Sequence, residues 1–548
     1  MFVRRLVVAV LFWAMGAASV RAAITNQWTG GAGDGDWFSG ANWSQGWAPA
    51  DGECVVVSGG ASVDLTNTTA WLASFSISGA TLTFTNGNWA TELRATNLAI
   101  NGGGTITHAV NTDTNAAGGW VPDNRVNLVC SNLLIAPGGK IDVIAKGYRS
   151  NCGPGSLGKD FFSTQYPGAG GHGGKGGGAV RDTRNNPYGL AEAPEDPGSG
   201  GGGGGTNAYS GGYGGGVARI QAGDSVVVSG TITADGQSYP NSYGNAGAGG
   251  SIYITCRTFG GTNGLVEAKG GTMWGVYSRG GGGRVAVAYD ASAQSSAPPH
   301  AVTFSAASGG GMDVNSSGNR YFGDPGTLWF PDTLFLASPI TNAHRGCVIV
   351  PGLTNWSVAG LALQAACALE FPESFRLEVT GDLVLGGGGR IGFQRGGALD
   401  VGGDLVLTNN GSLMVSSAPT NAGADHGALV SVTGTLAIGN GCWIYPHSDI
   451  TNGGSPLLRM RELRIDGPNG GIDGSAKGYA AHWGTAGQGP GGGYYWAGGG
   501  GHGGRGGDHT DGGGGAGGVT NDLLYAPSLP GSSGGGWWFE WVPGEGGA

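Results

Sequence analysis

The chain has 548 residues, of which 120 are glycine, and a formal net charge of −10. An acidic chain without a basic stripe has nothing to neutralise phosphate, which argues against nucleic acid and anionic membrane surfaces as partners. Charged residues make up only 12% of the chain, but its 17 Trp, 16 Tyr and 16 Phe argue against disorder. The composition therefore predicts a folded β protein with polar, glycine-dense insertions.

Residues 1–22 are typical of a secretory signal peptide. Arg4 and Arg5 form a positively charged start, residues 6–20 are apolar, and residues 20–22 provide a cleavage site. The apolar run is short for a membrane span, which needs about 20 residues. We therefore expect a secreted or bacterial cell-surface protein without a transmembrane span in its mature chain. An uncleaved anchor is the alternative.

Residues 23–61 contain three tryptophans in a fixed order with glycine, aspartate and asparagine. The landmarks in chain order are Trp28-Thr29-Gly30-Gly31, Gly33-Asp34-Gly35-Asp36-Trp37, Asn42-Trp43, Pro49, Asp51-Gly52-Glu53 and the β-like run Cys54-Val55-Val56-Val57. This order resembles the opening of autotransporter-like β-solenoid passengers of bacterial surface proteins. The resemblance implies an N-terminal cap and the first coils of a β-helix. A cap keeps the strand edges at the end of a solenoid from pairing with other chains.

Residues 62–144 predict short β-strands separated by turns. Apolar and polar residues alternate, for example from Val63 to Leu65 and from Phe75 to Ile77, with Gly and Asn between the runs. A period of two is typical of strands with one buried face. We therefore expect β-helix coils here.

A glycine-rich module occurs twice, at residues 145–290 and 476–548. Both copies begin with Ala-Lys-Gly-Tyr, continue with Gly-Gly-His-Gly-Gly-Lys/Arg-Gly-Gly and later contain Pro-Gly-Ser. The offset from Ala145 to Ala476 is nearly the same as the offset from His172 to His502. A nearly constant offset indicates a duplicated structural unit. Repeat chains usually build extended surfaces rather than a single catalytic pocket.

Each glycine cluster of the first copy leads into a β-like run. Gly214–Gly216 leads into residues 217–220, and Gly280–Gly283 leads into residues 284–289. This arrangement resembles a glycine-rich repeat of bacterial secreted β-helix proteins, which implies no particular activity. Two conformations are open for the glycine runs. They form irregular loops, or they form left-handed polyglycine II helices that pack closely because glycine has no side chain.

Residues 291–340 are expected to form a connecting segment, and residues 341–475 further coils. Gly381–Leu385 recurs almost unchanged as Gly403–Leu407, and this spacing matches one coil of a solenoid. The second module lacks the strands that follow the first, so we expect a fragment of a longer protein. The whole pattern predicts an all-β fold. The predicted architecture is a right-handed parallel β-helix with duplicated glycine-rich insertions and very little helix.

The chain has seven cysteines, an odd number, and no Cys-x-x-Cys spacing typical of a metal site. We expect six or more of them to be buried as small apolar side chains. Cys130 with Cys152, and Cys347 with Cys367, are the pairs that could form local disulfides in an oxidising compartment.

Four residues are candidate ligand contacts: His172, His502, Trp496 and Trp538. The histidines hold matching places in the two modules. A single histidine without cysteines or carboxylates around it is not a metal site, so we prefer to interpret each as a plug that bonds backbone carbonyls. The tryptophans can stack on sugar rings, or they can pack over the glycine tract.

No cofactor is predicted, and calcium is the only metal ion considered. Asp34 and Asp36 lie in a Gly/Asp-rich segment, but Gly35 stands where a calcium-binding β-roll repeat requires Asp. Turn formation is therefore the preferred interpretation of these aspartates.

No catalytic constellation is visible, so we interpret the chain as an exported structural or adhesive protein rather than an enzyme. Extracellular glycans and surface proteins are the expected partners. The alternative is a carbohydrate-active β-helix enzyme (a polysaccharide lyase or a glycoside hydrolase) or a glycan-binding module, with Glu192, Glu195 and Asp196 as its candidate carboxylates. Carboxylates or bases along one face of adjacent coils would favour the enzyme. A smooth, uncharged groove would favour the scaffold.

Overall fold

The computed structural model describes residues 24–85, 87–111, 119–156, 168–178, 186–203, 210–238, 244–273, 278–310, 323–420, 425–480, 485–495, 497–509, 515–523, 525 and 527–536. The expected signal peptide lies outside these ranges, as do Trp496 and Trp538.

The regular secondary structure is almost entirely β, with 37% of residues in strands and 2% in helix. The first strands are β1 (Thr25–Gln27), β2 (Cys54–Val57), β3 (Ser62–Leu65), β4 (Leu72–Ile77), β5 (Thr81–Phe84), β6 (Leu93–Ile100), β7 (Thr105–His108), β8 (Val126–Ile135), β9 (Lys140–Asp142), β10 (Val217–Val228), β11 (Thr231–Thr233), β12 (Ser251–Thr255), β13 (Thr258–Gly260), β14 (Thr262–Glu267), β15 (Arg284–Ala288), β16 (Ala301–Ser305) and β17 (Thr327–Trp329). A short helix α1 (Ala291–Gln294) and two 3-10 turns (Gly40–Asn42 and Leu334–Leu336) interrupt them.

The second group of strands lies between residues 345 and 472, where no glycine module separates them. It comprises β18 (Arg345–Ile349), β19 (Asn355–Val358), β20 (Leu361–Leu363), β21 (Ala368–Phe371), β22 (Arg376–Val379), β23 (Leu383–Leu385), β24 (Arg390–Phe393), β25 (Ala398–Val401), β26 (Leu405–Leu407), β27 (Ser412–Ser416), β28 (Ala428–Ile438), β29 (Trp443–His447), β30 (Pro456–Ile465) and β31 (Gly471–Ile472).

The strands pair in parallel and form one sheet of 23 strands and one of eight. Each coil passes through three faces. In the coil that begins at β8, these are Val126–Cys130, Asn132–Ile135 and β9, and β10 and β11 stack on them in the same order. This stacking confirms the predicted all-β, parallel β-helix fold. The hand of the coil stays a prediction.

The core is a set of apolar columns that run along the inside of the coils. Alternate residues of each strand point inward, so Leu98, Leu133 and Val226 stack in register and are each at most 2% exposed. At the N-terminal end, Trp37 and Trp43 are buried and pack edge to face, with ring centroids 4.9 Å apart. At the other end the columns are more exposed among the described residues. Leu463, Ile465 and Ile472 continue them but are 41–45% exposed.

The glycine runs of the first module form a hydrogen-bonded lattice. Each run leaves the β-helix after the third face and returns at the first face of the next coil. The N–H groups of residues 245–250 donate to three neighbouring segments, so that every third residue bonds to the same segment. Asn245 and Ala248 donate to the carbonyls of Gly202 and Ser199. Ala246 and Gly249 donate to Ser278 and Gly281, and Gly247 and Gly250 donate to Gln237 and Ala234. None of the glycines in this run has a positive φ. This is the three-residue pattern of packed polyglycine II helices rather than of irregular loops.

The lattice excludes side chains. A Cβ built on Gly215, Gly250 or Gly283 would lie 1.9–2.2 Å from a backbone oxygen of another segment. Real Cβ atoms do not approach oxygen so closely, so only glycine fits at these positions.

The second module repeats the internal hydrogen bonds of the first. The N–H of Tyr148 donates to Gly198, and the N–H of Tyr479 donates to Gly531. The N–H of His172 donates to Gly174, and the N–H of His502 donates to Gly504. The strand before each module also matches, since β8 and β30 have the same length and hold the same place relative to the module that follows.

The cysteines differ from expectation. Four are buried (Cys130, Cys347, Cys367 and Cys442) and three are half-buried, where six or more buried cysteines were predicted. The half-buried ones lie at strand ends and in a loop, where the side chain reaches the surface. None of the seven forms a disulfide in the structure, so neither of the two candidate pairs is bridged.

Candidate functional site

A cleft of about 760 Å³ lies between the two glycine modules. We call it the inter-module cleft. Its floor is the outer face of β18, β21, β24, β27 and β29, which pair in this order. Gly173–Lys175 of the first module, together with Asp324 and Pro325 beside them, form one wall. Ala476–Gly478 and Ala480 of the second module form the other wall.

The length of the cleft follows from the strand spacing. The floor strands run from β18 to β29 in four steps. With neighbouring strands about 4.8 Å apart, these steps give a floor of roughly 19 Å. The cleft is therefore long enough for an extended polymer.

A column of in-register residues runs along the floor. Its members, from the first module toward the second, are Thr327, Cys347, Glu370, Gly392, Met414 and Tyr445. Glu370 lies in the otherwise apolar strand Ala368-Leu369-Glu370-Phe371, where the alternation of side chains turns it outward into the cleft. Gly392 places no side chain between Glu370 and Met414.

Glu370 is a buried carboxyl group on β21, the second floor strand from the first module. Its side chain is 7% exposed, and its Oε2 has no hydrogen-bond partner among the described residues. Burial raises the pKa of Glu370 to about 8, the negative charge of Asp324 raises it further, and a hydrogen bond with Gln394 opposes the shift. Glu370 therefore carries its proton at neutral pH and is both a hydrogen-bond donor and an acceptor.

The end of the floor next to the second module carries an ion pair and a histidine. Arg395 donates to Asp449 at 2.5 Å, and the Asp449 side chain is 2% exposed. Thr451 and Asn452 also donate to Asp449. Burial would raise the pKa of Asp449, but these hydrogen bonds hold it below its ordinary value. Asp449 is therefore a fixed negative charge.

His447 is neutral at physiological pH. Desolvation, and then the nearby Lys477, lower its pKa to about 3. Its Nε2 has no hydrogen-bond partner within the described residues. The neutral ring can donate or accept one hydrogen bond.

The carboxylates singled out in the sequence lie in a strap, residues 186–197, that crosses the first face beside the first module. Glu195 contacts Arg125 at 3.6 Å and Arg219 at 3.1 Å. Burial raises the pKa of Asp196, and its backbone carbonyl accepts a hydrogen bond from Ser251. These contacts hold the strap in place, so the structure does not bring the three carboxylates together as a catalytic group.

His172 lies outside the cleft. It is fully buried, its Nδ1 is 2.9 Å from the carbonyl oxygen of Gly249, and its ring packs on Tyr188 with centroids 4.8 Å apart. His502 has a 38% exposed side chain and lies 3.4 Å from Asp522. Trp496 and Trp538 lie outside the described residues.

Asp34 is held in a turn. Its Oδ1 accepts hydrogen bonds from Asn42 and from the N–H of Asp36. Within the described residues, no group of three or more His, Cys, Asp or Glu side chains is arranged to hold a metal ion.

The comparisons with known proteins found no match. No family model fits the chain, and neither the curated proteins nor the solved structures that were compared are similar to it. Among the described residues, no helix combines the length and the apolar character that a membrane crossing requires. The resemblance to autotransporter-like passengers stays a prediction.

Sequence reasoning missed the cleft residues Glu370, Gln394, Arg395 and His447. One signal was present, since a carboxyl group in the apolar run of residues 368–371 is unusual for a strand. The register that aligns these residues on successive coils was not visible in the sequence.

Proposed function

We propose that this chain is an exported structural or adhesive β-helical protein that holds a glycan strand in the inter-module cleft. The observation that supports this most directly is the cleft itself, an extended groove across consecutive coils that ends at a glycine module on each side. Its length suits a polymer better than a small metabolite. The predicted signal peptide supports export.

The lining suits a sugar chain because it mixes polar and apolar groups. Hydroxyl and amide groups come from Thr327, Gln394, Ser416, Ser417 and Thr451, and apolar surface comes from Pro187, Pro325, Ile349, Met414 and Ile450. Sugars present hydroxyl groups around the ring and C–H groups on its faces, so both kinds of surface find a partner.

Binding to immobilised polysaccharides tests the proposal. Residues 24–548 should bind at least one neutral or acidic polysaccharide, and Ser416→Trp should abolish binding because the bulky ring fills the cleft floor. Ser357→Trp is the matched control, since Ser357 is exposed on a different face. Equal binding by both variants, or no binding by the parent protein to a broad panel, would contradict the proposal.

A carbohydrate-active enzyme is the second candidate, and one observation favours it. Glu370 holds a proton at neutral pH, and Asp324 on the wall of the cleft acts on it electrostatically. Glycoside hydrolases pair a protonated carboxyl group with a second carboxylate in the same way. A glycan that is bound and cleaved, with new reducing ends that disappear in Glu370→Gln, would establish the enzyme. A glycan that is bound and left intact would leave the adhesive function.

A further inference from the structure

The charged groups around Glu370 distinguish between classes of ligand. On the floor, Arg395 is engaged by Asp449. At the edge of the cleft, Arg284 donates to the carbonyl of Tyr188 at 2.9 Å and to Thr327 at 3.2 Å. Arg345 and Arg390, on the strands that flank β21, lie in register with Ala368, two residues before Glu370. At Glu370 itself an anionic group meets the negative charge of Asp324 and the buried thiol of Cys347.

Cys347 does not ionise beside Glu370. Burial, followed by the proximity of Glu370, raises the pKa of the Cys347 thiol well above its ordinary value. Glu373 follows β21 at the rim of the cleft, and His447 lies three coils away on the same floor. Two lysines, Lys175 and Lys477, belong to the walls rather than to the floor. Glu370 is therefore the group on the floor whose charge changes just above neutral pH.

We propose that Glu370 selects a neutral polyhydroxylated glycan segment, because its carboxyl group, buried in the floor of the cleft, donates a hydrogen bond to a ligand hydroxyl there. The inference rests on the proposed function and names the ligand class and the specificity-determining residue. The Oε2 is buried and has no hydrogen-bond partner among the described residues, and a ligand hydroxyl that reaches it from the cleft supplies one without adding charge. A ligand carboxylate or sulfate there would face Asp324.

Binding should then weaken as the pH rises, because the Glu370 carboxyl group loses the proton that it donates. The carboxyl group donates only below its pKa of about 8. Above that pH an unpaired carboxylate is buried beside Asp324, and affinity should fall by about tenfold for each further pH unit. At pH 9.5 the loss is about 30-fold relative to pH 7.

The experiment measures the affinity for a neutral polysaccharide that the parent protein binds, between pH 6 and 9.5. The parent should weaken by about 30-fold over this range. Glu370→Gln keeps a donor and an acceptor without a titrating proton, so it should bind within about threefold of the parent at pH 7 and lose its pH dependence. Glu370→Ala should bind at least about tenfold more weakly at pH 7. A uronate-containing polysaccharide should bind more weakly than the neutral one.

The outcomes separate the two claims. If the parent protein binds neither neutral nor acidic polysaccharides at any pH, the proposed function fails. If it binds but Glu370→Gln keeps the full pH dependence, or if acidic polysaccharides bind more tightly, only the role of Glu370 is overturned. Circular dichroism of each variant at pH 6 and 9.5 verifies that the fold is retained.

Discussion

The two glycine modules share their internal hydrogen bonds but have different surroundings. His172 is fully buried in the first module, whereas the side chain of His502 in the second is 38% exposed. A Cβ on Gly174 would lie 2.1 Å from the carbonyl oxygen of Asp324, whereas no described atom lies within 4 Å of a Cβ on Gly504. The sequence of a module thus specifies its local fold, and the module is buried where later coils of the β-helix pack against it.

The strands before the modules show the same contrast. Leu133 and Ile135 in β8 are at most 1% exposed because β10 covers them. Leu463 and Ile465, their counterparts in β30, are 45% exposed. Equivalent residues therefore contribute differently to stability, and matched substitutions can measure the difference.

The largest expected difference is between Leu133→Ala and Leu463→Ala. Removing a buried leucine side chain leaves a cavity and costs about 2 to 5 kcal/mol. The same substitution at a half-exposed position should cost less than about 1 kcal/mol. Urea denaturation followed by tryptophan fluorescence measures both values. Equal losses would show that the end of β30 is covered in solution and would break the contrast between the two regions.

The second comparison uses the glycines at matching lattice positions. Gly174→Ala forces a methyl group against the backbone of another segment and should cost about 1 to 3 kcal/mol or more. Gly504→Ala should be nearly neutral because its Cβ meets no described atom. Gly176→Ala and Gly506→Ala are the controls. A Cβ on Gly176 or Gly506 would lie 2.1 or 2.0 Å, respectively, from a backbone oxygen of the same module. The two substitutions should therefore destabilise the protein to a similar extent. Similar effects of Gly174→Ala and Gly504→Ala would contradict the lattice packing.

The sequence predicted the strands but not what lies between or across them. A period of two is a local signal, so the coils could be predicted from windows of a few residues. The lattice could not, because its hydrogen bonds join distant parts of the chain, as when the N–H of Gly170 donates to Ala246. Glycine runs alone fit both a lattice and a loop, and only partners distant in sequence decide between them.

The cleft escaped prediction for a related reason. Glu370, Gly392 and Met414 are evenly spaced along the chain, but the next member of the column, Tyr445, follows after a longer interval because the coil before it carries an extra loop. An irregular spacing hides the alignment of Glu370 with Tyr445, which lies two residues before His447. The carboxylates that stood out in the sequence were Glu192, Glu195 and Asp196, which are close together along the chain. They lie in the strap, and their contacts hold the strap in place.

The smallest effect expected is the loss of folding stability at acid pH that His172 causes. Desolvation, followed by the charge of Arg284, lowers the pKa of His172 to about 3 in the folded protein, against an ordinary value of 6.5. The unfolded chain therefore binds a proton first as the pH falls, and the contribution of neutral His172 to stability, complete above pH 6.5, is lost progressively between pH 6.5 and 3. At pH 5.5 the loss is about 1.4 kcal/mol. The free energy of unfolding measured at pH 7.5 and 5.5 should fall by that much less in His172→Gln than in the parent. An unchanged difference in His172→Gln would show that this histidine is protonated or solvated in the folded module, and the contrast in burial between the two modules would then not hold in solution.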